Sequence, residues 1–204
     1  MSPLPGDSPQ RHRAEEIEIK LPAPDLSALR EKLRARGAEL VAPLHFESND
    51  LYDDPDGTLA KAGCILRLRK TSGGAILTFK GPARFEAGTK IREESETEVS
   101  DPAELERILE GLGKRPRFRY EKRREEWSLG DCAIALDETP IGCFIEVEGD
   151  PSAIRRVVHD LGFDASESLP YSYAELYTRR RREDRSLPPD MVFPSAPDLP
   201  GKDR

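Results

Sequence analysis

The stretch Glu16-Ile17-Glu18-Ile19-Lys20, EIEIK in one-letter code, decides how the fold of this chain is interpreted. Successive side chains of a β-strand point to opposite faces. One face of this strand therefore carries Glu16, Glu18 and Lys20, and the other carries the two isoleucines. The isoleucine face must be covered by apolar groups. The charged face has two alternatives, the solvent side of an open sheet or the interior of a sheet that closes on itself.

The same alternation of charged and apolar side chains returns along the chain. It predicts further strands over 63–70, 75–80, 90–99, 118–129, 131–137 and 143–149. The charged or polar face of these strands carries Arg67, Arg69, Thr78, Lys80, Arg92, Glu94, Glu96, Glu98, Lys122, Arg124, Asp137, Glu146 and Glu148. The opposite face is mostly apolar. It includes Cys64, Cys132 and Cys143, which we therefore interpret as inert core thiols.

Three helices are expected to cover the apolar face of the sheet. They are predicted within 25–37, 101–113 and 150–162, each after a strand with paired glutamates. Asp101 and Asp150 suit the N-cap position, and a proline follows each of them at the first helical position. Apolar residues recur at helical spacing, and a glycine ends each segment. The sequence thus predicts an α+β domain with helices packed against one face of a sheet.

The two ends of the chain differ in composition from its middle. Residues 1–14 and 179–204 are rich in proline and poor in large apolar side chains, so we predict disordered tails there. Residues 15–178 remain as one compact domain. Hydrophobic residues make up 36% and charged residues 35% of the 204 residues, against about 45–50% and about 25% in a typical soluble domain. The excess charge must lie on the surface, in the tails or around an interior polar site.

Composition argues against several classes of partner. A net charge of −7 argues against a nucleic-acid partner. No apolar run approaches the ~20 residues needed to cross a bilayer, so we expect no membrane association. Three cysteines without metal-binding spacing fit a reducing, cytoplasmic location. The sequence makes no prediction of the oligomeric state.

The distribution of like charges suggests what the charged face binds. Like charges two residues apart on a strand repel each other unless a counter-ion lies between them. The pairs Glu16/Glu18 and Glu146/Glu148 therefore indicate a divalent cation, and Arg67/Arg69, Lys80 and Lys122/Arg124 indicate a polyanion. A metal-complexed polyphosphate would need both sets. The pattern alone leaves the solvent-exposed and the enclosed arrangement open.

Six motifs in order resemble those of the CYTH family, also called triphosphate tunnel metalloenzymes. They are ExExK at 16–20, LRLR at 66–69, TFKGP at 78–82, RxExE at 92–96, KxR at 122–124 and the acidic set of Asp137 with FIEVE at 144–148. The segments NDLYD at 49–53 and SYAEL at 172–176 are similar to the class IV adenylate cyclase-like branch. The resemblance implies a closed eight-stranded, mostly antiparallel β-barrel, the triphosphate tunnel, with flanking helices.

The resemblance, together with ligand chemistry, also implies roles for the charged residues. Mg²⁺ or Mn²⁺ prefers oxygen ligands. The expected metal ligands are Glu16, Glu18, Glu146 and Glu148, followed by Asp137, Glu96 and Glu98. The expected catalytic contacts to the triphosphate are Lys20, Arg67, Arg69, Lys80 and Arg124, with Lys122, Arg92 and Glu94 as further substrate-binding residues.

Two reactions suit such a site. Attack by a ribose hydroxyl on the α-phosphate would convert ATP to cyclic AMP and pyrophosphate, and attack by water would hydrolyse a triphosphate. The candidate substrates are ATP, thiamine triphosphate and tripolyphosphate. Two alternatives remain: a non-catalytic module that binds polyphosphate or nucleotide, and a structural protein with an open charged sheet.

Overall fold

The computed structural model describes residues 14–86 and 89–194. The strands in these ranges are β1 (Ala14–Pro22), β2 (Glu39–Asp53), β3 (Ile65–Thr71), β4 (Gly74–Lys80), β5 (Arg84–Glu86), β6 (Thr89–Val99), β7 (Arg115–Leu129), β8 (Cys132–Thr139) and β9 (Gly142–Glu148). The helices are α1 (Leu26–Ala35), α2 (Thr58–Lys61), α3 (Pro102–Gly111), α4 (Pro151–Asp160) and α5 (Tyr173–Glu183). None of these helices has both the length and the apolar composition that a bilayer crossing requires.

Eight of the strands form a closed barrel, as predicted. Their order is β1-β9-β8-β7-β2-β3-β4-β6, and β6 pairs back with β1. Every pairing is antiparallel; on β1, for example, Ile17 is opposite Ile91 of β6 and Lys20 is opposite Glu146 of β9. The short strand β5 pairs with the start of β6 and continues the line of β4 after an interruption at residues 81–83.

The helices begin where the sequence places their caps. The Asp101 carboxylate accepts a hydrogen bond from the Glu104 amide at 2.9 Å, and the Asp150 carboxylate accepts one from the Ser152 amide at 2.8 Å. These bonds satisfy amide groups that have no partner inside the helix. After α1, Gly37 adopts a φ of +74°, a left-handed conformation that favours glycine.

The polarity of the barrel is inverted, with the apolar faces of its strands turned outward beneath helices. Helices α1 and α4 cover β1, β8 and β9, where Leu33, Leu136 and Ile154 are almost fully buried. Helix α3 places Leu109 against Leu68 of β3. The charged faces of the strands therefore point toward the barrel interior.

The three cysteines differ in environment. Cys132 is buried in the core beneath α4, and Cys143 packs against the same cluster. Cys64 is half-buried, belongs to none of the described core clusters and lines a surface cavity. Our interpretation of Cys64 as a core thiol is therefore wrong, because it lies before the start of β3 and outside the sheet.

The chain remains packed on the barrel well beyond residue 178, which differs from the expected C-terminal tail. Helix α5 runs to Glu183, and Met191 is fully buried. The Met191 amide donates to the Arg119 carbonyl at 2.9 Å, and the Met191 carbonyl accepts from the Glu121 amide at 2.8 Å. This part of β7 is available because β8 pairs with β7 only from Arg123 onward. The expectation of disorder is thus wrong for residues 179–194 and for Ala14, where β1 begins. Residues 1–13 and 195–204 lie outside the described residues.

Candidate active site

The barrel encloses a charged cavity of about 240 Å³. Nearly all the predicted site residues line it, although they come from six different strands. They are Glu16, Glu18, Lys20, Arg67, Arg69, Lys80, Arg92, Glu94, Glu96, Lys122, Arg124, Glu146 and Glu148. The enclosed arrangement, rather than the open charged sheet, is therefore the one that this sequence adopts.

Two of the predicted metal ligands do not line the cavity. Glu98 lies near the end of β6 with an exposed side chain, because β6 extends beyond the cavity. Asp137 is fully buried behind the wall. Its Oδ1 accepts from Arg124 Nε at 2.7 Å, and its Oδ2 accepts from Tyr173 Oη at 2.6 Å and Lys122 Nζ at 3.2 Å. Asp137 therefore holds two cavity cations in place, and the prediction of a metal ligand at these two positions is not supported by the geometry.

Four carboxylates gather on adjacent strands. Glu16 and Glu18 extend from β1, and Glu146 and Glu148 extend from its neighbour β9, where Glu18 is directly opposite Glu148. Each of the first three has a lysine partner: Lys80 for Glu16 at 2.6 Å, Lys90 for Glu18 at 2.6 Å and Lys20 for Glu146 at 3.2 Å. Among the described residues, Glu148 has no ion-pair partner.

The pKa values of these carboxylates reflect the crowding of charge. Burial, followed by the charges of Glu16 and Glu18, raises the pKa of Glu148 above its ordinary range. Burial would also raise the pKa of Glu146, but Lys20 and Arg124 outweigh it and hold that pKa well below its ordinary range. Negative charge is thus compensated at Glu146 and in excess at Glu148.

Basic side chains form the rest of the wall. Arg67 Nη2 donates to Thr78 Oγ1 at 3.0 Å and to Glu96 Oε1 at 3.1 Å. Arg124 donates to both Asp137 and Glu146. Burial and the neighbouring Arg67 lower the pKa of Arg69, which indicates that positive charge is concentrated here. A multiply charged anion would relieve this repulsion.

Glu94 lies where the acidic and basic groups meet. Its Oε2 accepts a hydrogen bond from Lys80 Nζ at 3.1 Å, and its Oε1 is 3.9 Å from Arg67 Nη2. Burial, together with the nearby Glu16, raises the pKa of Glu94 to about 7 despite the opposing effect of Lys80. Glu94 is therefore partly protonated near neutral pH.

Arg92 lines the cavity, but its guanidinium donates hydrogen bonds to backbone carbonyls. Its Nε donates to the Gly81 carbonyl at 3.0 Å and its Nη2 to the Gly63 carbonyl at 3.2 Å. These bonds fix the segment between β4 and β5 to the loop before β3. A positioning role suits Arg92 better than the predicted direct contact with substrate.

Glu47 is a buried carboxylate that sequence reasoning missed. Its side chain is 1% exposed, and its Oε2 lies 3.3 Å from Arg69 Nε and 3.4 Å from Lys122 Nζ. Burial would raise its pKa, but Lys122 and the neighbouring arginines outweigh that effect and lower it to about 2. Glu47 and Asn49 are two residues apart on β2 and therefore lie on the same face of that strand. This spacing is the sequence signal that would have indicated their place in the wall.

Two tyrosines, also missed, complete the wall. Tyr120 lies between the basic residues of β7 and is buried. Tyr173 places its ring 4.0 Å from Lys20 Nζ. A capping box between Ser172 and Glu175 begins α5 at this point and so fixes Tyr173 against the barrel. The SYAEL segment thus has a structural purpose that the sequence alone did not explain.

A second group of potential metal ligands lies outside the charged cavity. His45, Glu47 and Glu126 offer ligand atoms within 4.8 Å of one another. His45 Nε2 is 3.5 Å from Glu47 Oε1 and 4.0 Å from Glu126 Oε1. The Glu47 carboxylate also contacts the cations Arg69 and Lys122, just as Glu16, Glu18 and Glu146 in the charged cavity contact lysines.

Comparison with known proteins gives consistent matches. The family described as CYTH domain matches residues 14–182 of this chain. Adenylate cyclase CyaB of Aeromonas hydrophila is 27% identical over 174 residues, covering 82% of this chain and 86% of that protein. The structure of the PH1819 protein of Pyrococcus horikoshii OT3 aligns with a TM-score of 0.69 and 27% identity, over 81% of this chain and 99% of that one. A Vibrio parahaemolyticus structure proposed to be an adenylate cyclase aligns with a TM-score of 0.70 and 23% identity, over 80% and 97%.

Proposed function

The chain belongs to the CYTH family, and on that premise we propose that it is a divalent-metal-dependent enzyme acting on a small-molecule triphosphate. The observation that carries this proposal is the convergence of basic side chains and four carboxylates on one enclosed cavity. A site for a simple anion would not need Glu16, Glu18, Glu146 and Glu148. Both acidic pairs therefore favour an enzyme over a non-catalytic polyphosphate-binding module.

The four carboxylates supply the ligand chemistry that a divalent cation such as Mg²⁺ or Mn²⁺ requires. Their oxygen atoms are the ligands that these ions prefer. The raised pKa of Glu148, caused by burial and by Glu16 and Glu18, indicates negative charge that a cation would neutralise. When bound, the metal would neutralise phosphate oxygens and polarise the attacking nucleophile.

The basic residues would hold the triphosphate against these carboxylates. Arg67 and Arg69 can engage pairs of phosphate oxygens, whereas Lys80 and Lys122 act as point charges. Asp137 fixes Lys122 and Arg124 in position through the hydrogen bonds described above. Phosphoryl transfer depends mainly on such positioning and charge neutralisation, so no protein nucleophile is required. Ser172, a hydroxyl in the wall, donates instead to Glu175 at 2.8 Å.

Two reactions would use the same contacts to the phosphates of the substrate. The relation to adenylate cyclase CyaB favours conversion of ATP to cyclic AMP and pyrophosphate. Hydrolysis of ATP, thiamine triphosphate or tripolyphosphate is the second candidate, because it requires the same contacts to the phosphates. The position of the phosphates along the cavity decides between them.

A substrate panel tests the proposal. The full chain is incubated with ATP, thiamine triphosphate or tripolyphosphate and either Mg²⁺ or Mn²⁺, and products are resolved by phosphorus NMR. We expect metal-dependent product formation that EDTA abolishes. Lys80→Ala and Arg67→Ala should weaken triphosphate binding, whereas Glu98→Gln, outside the cavity, should not. Stabilisation by tripolyphosphate without turnover of any substrate would instead identify a binding module.

A further inference from the structure

Asn49 is a buried polar side chain to which the proposed function gives no role. It lies on β2, opposite Arg69 of β3 and Tyr120 of β7. Asn49 is 0% exposed and is not one of the described residues that line the charged cavity, so it cannot contact a bound substrate. Burial of an amide costs free energy unless the amide is hydrogen-bonded. The contacts of Asn49 should therefore explain why this residue type is found here.

The amide oxygen of Asn49 holds the guanidinium of Arg69. Asn49 Oδ1 accepts a hydrogen bond from Arg69 Nε at 3.2 Å. Glu47 Oε2 lies 3.3 Å from the same nitrogen and contributes negative charge, but it accepts no hydrogen bond from the described residues. Nε carries one hydrogen, and Asn49 receives it. Because a guanidinium is planar and rigid, a bond to Nε also fixes the directions of its two terminal nitrogens.

Arg69 is held differently from the other arginines that line the charged cavity. Arg67, Arg92 and Arg124 each donate a hydrogen bond from Nη2 to another group of the protein. Within residues 14–86 and 89–194, Arg69 donates a hydrogen bond through Nε alone. Its two terminal nitrogens are therefore available for a pair of phosphate oxygens, which is the geometry that a guanidinium favours.

An anchor for Arg69 is needed because neighbouring cations repel it. Burial and the charge of Arg67, with a smaller contribution from Arg124, lower the pKa of Arg69 although Glu47 opposes them. A side chain without an anchor would relieve this repulsion by changing its rotamer. The hydrogen bond to Asn49 restrains that movement before any anion is bound.

The amide nitrogen of Asn49 argues against a purely structural role. Nδ2 is buried and has no hydrogen-bond partner among the described residues. An unpaired buried donor lowers stability, so an apolar side chain of similar size should be about as stable at this position. Turning the amide over would place Nδ2 against Arg69 Nε, which is also a donor. The contact with Arg69 therefore explains the asparagine better than stability does.

We infer that Asn49 is a positioning residue that holds the terminal nitrogens of Arg69 toward the phosphates of the bound substrate. This inference rests on the proposed function and adds a residue that acts through Arg69 without touching the substrate. It also makes Arg69 the main bidentate contact to a phosphate group, because Arg67 Nη2 is already bonded to Thr78 and Glu96.

A double-mutant cycle between Asn49 and Arg69 tests the inference. Asn49→Leu removes the acceptor and keeps a similar size, and Arg69→Gln removes the guanidinium. Dissociation constants of tripolyphosphate are measured by calorimetry in EDTA for the unaltered protein, both single variants and the double variant. Asn49→Leu should weaken binding about tenfold when Arg69 is present and less than about twofold in the Arg69→Gln background. Its melting temperature should differ from that of the unaltered protein by less than about 3 °C.

Thr78→Val is the matched control. Thr78 is 0% exposed and accepts a hydrogen bond from Arg67 Nη2 at 3.0 Å, so it supports the neighbouring arginine from behind the wall. Its effect on affinity should persist in the Arg69→Gln background. Equal losses from Asn49→Leu in both backgrounds, or no loss in either, would overturn the inference while leaving the proposed function intact. If tripolyphosphate does not bind the unaltered protein, the proposed function fails and the inference fails with it.

Hydrogen exchange at Arg69 Nε gives an independent measurement that does not depend on the folding of Asn49→Leu. The nitrogen-15 NMR signal of this group is assigned by its loss in Arg69→Gln. Its hydrogen should exchange with water at least about tenfold more slowly than those of the exposed Arg180 and Arg182, because it is bonded to Asn49 inside the wall. Equally fast exchange at Arg69 would show that the anchor is not formed and would overturn the inference.

Discussion

Replacing Glu47 by glutamine should destabilise the protein through the charges of the cavity wall. The Glu47 carboxylate lies 3.3 Å from Arg69 and 3.4 Å from Lys122 and is 1% exposed. Burial opposes its ionisation, yet Lys122 and the arginines lower its pKa from 4.5 to about 2. Each pKa unit corresponds to about 1.4 kcal/mol, so the ionised carboxylate contributes about 3 kcal/mol to the free energy of unfolding.

The pH dependence of this contribution has a definite sign. A carboxyl whose pKa is lowered by folding stabilises the protein above its unfolded pKa, and the stabilisation disappears as pH falls through its folded pKa. The difference in the free energy of unfolding between the unaltered protein and Glu47→Gln should therefore be about 3 kcal/mol at pH 7. It should shrink as pH falls from 4.5 toward about 2.

Urea unfolding in EDTA, followed by the fluorescence of the buried Trp127, measures this difference. Glu126→Gln is the control, because Glu126 lies on the same barrel wall but its side chain is 39% exposed. The control should change the free energy of unfolding by less than about 0.5 kcal/mol. If Glu47→Gln is as stable as the control at pH 7, or if its stability varies with pH in parallel with that of the unaltered protein, the electrostatic reasoning is refuted.

Three further predictions follow from the cavity and the C-terminal segment. Glu146→Gln should abolish metal-dependent turnover while tripolyphosphate still raises the melting temperature, and unchanged turnover would exclude Glu146 as a metal ligand. Because the pKa of Glu94 is about 7, its negative charge develops as pH rises through neutrality. In EDTA, the affinity of the unaltered protein for tripolyphosphate should therefore fall more steeply with rising pH than that of Glu94→Gln. An equal pH dependence in the two proteins would contradict this. Met191→Ala should lower the free energy of unfolding by about 2–5 kcal/mol in urea titrations, since Met191 is fully buried; a loss below about 0.5 kcal/mol would show that the segment does not support the barrel.

The barrel and most of its charged lining were predictable because the signal was local and repeated. Strict alternation on β1, β3, β6 and β9 placed Glu16, Arg67, Glu94 and Glu146 on one face whatever the rest of the chain does. Resemblance to a known family then resolved whether that face was enclosed. Neither step required knowledge of contacts between distant residues.

The features that sequence reasoning missed depend on such contacts. Glu47 and Asn49 do alternate on β2, but register shifts between Leu40 and His45 and again after Leu51 leave only a short regular stretch around them, so the strand was not recognised there. Asp137 lies on the strand face that points into the cavity. It is buried because Lys122 and Tyr173, which donate hydrogen bonds to its carboxylate, cover it. The burial of Met191 depends on a stretch of β7 left unpaired by β8, which no composition rule for a proline-rich segment can anticipate.

The most direct test of the central claim is the location of Mn²⁺ by anomalous scattering in crystals of the full chain grown with Mn²⁺ and tripolyphosphate. The account predicts an anomalous peak inside the barrel, at coordination distance from carboxylates of Glu16, Glu18, Glu146 or Glu148, with phosphate density against Arg67, Arg69 and Lys80. An anomalous peak at His45, Glu47 and Glu126 with an unchanged charged cavity, or phosphate bound only outside the barrel, would contradict it.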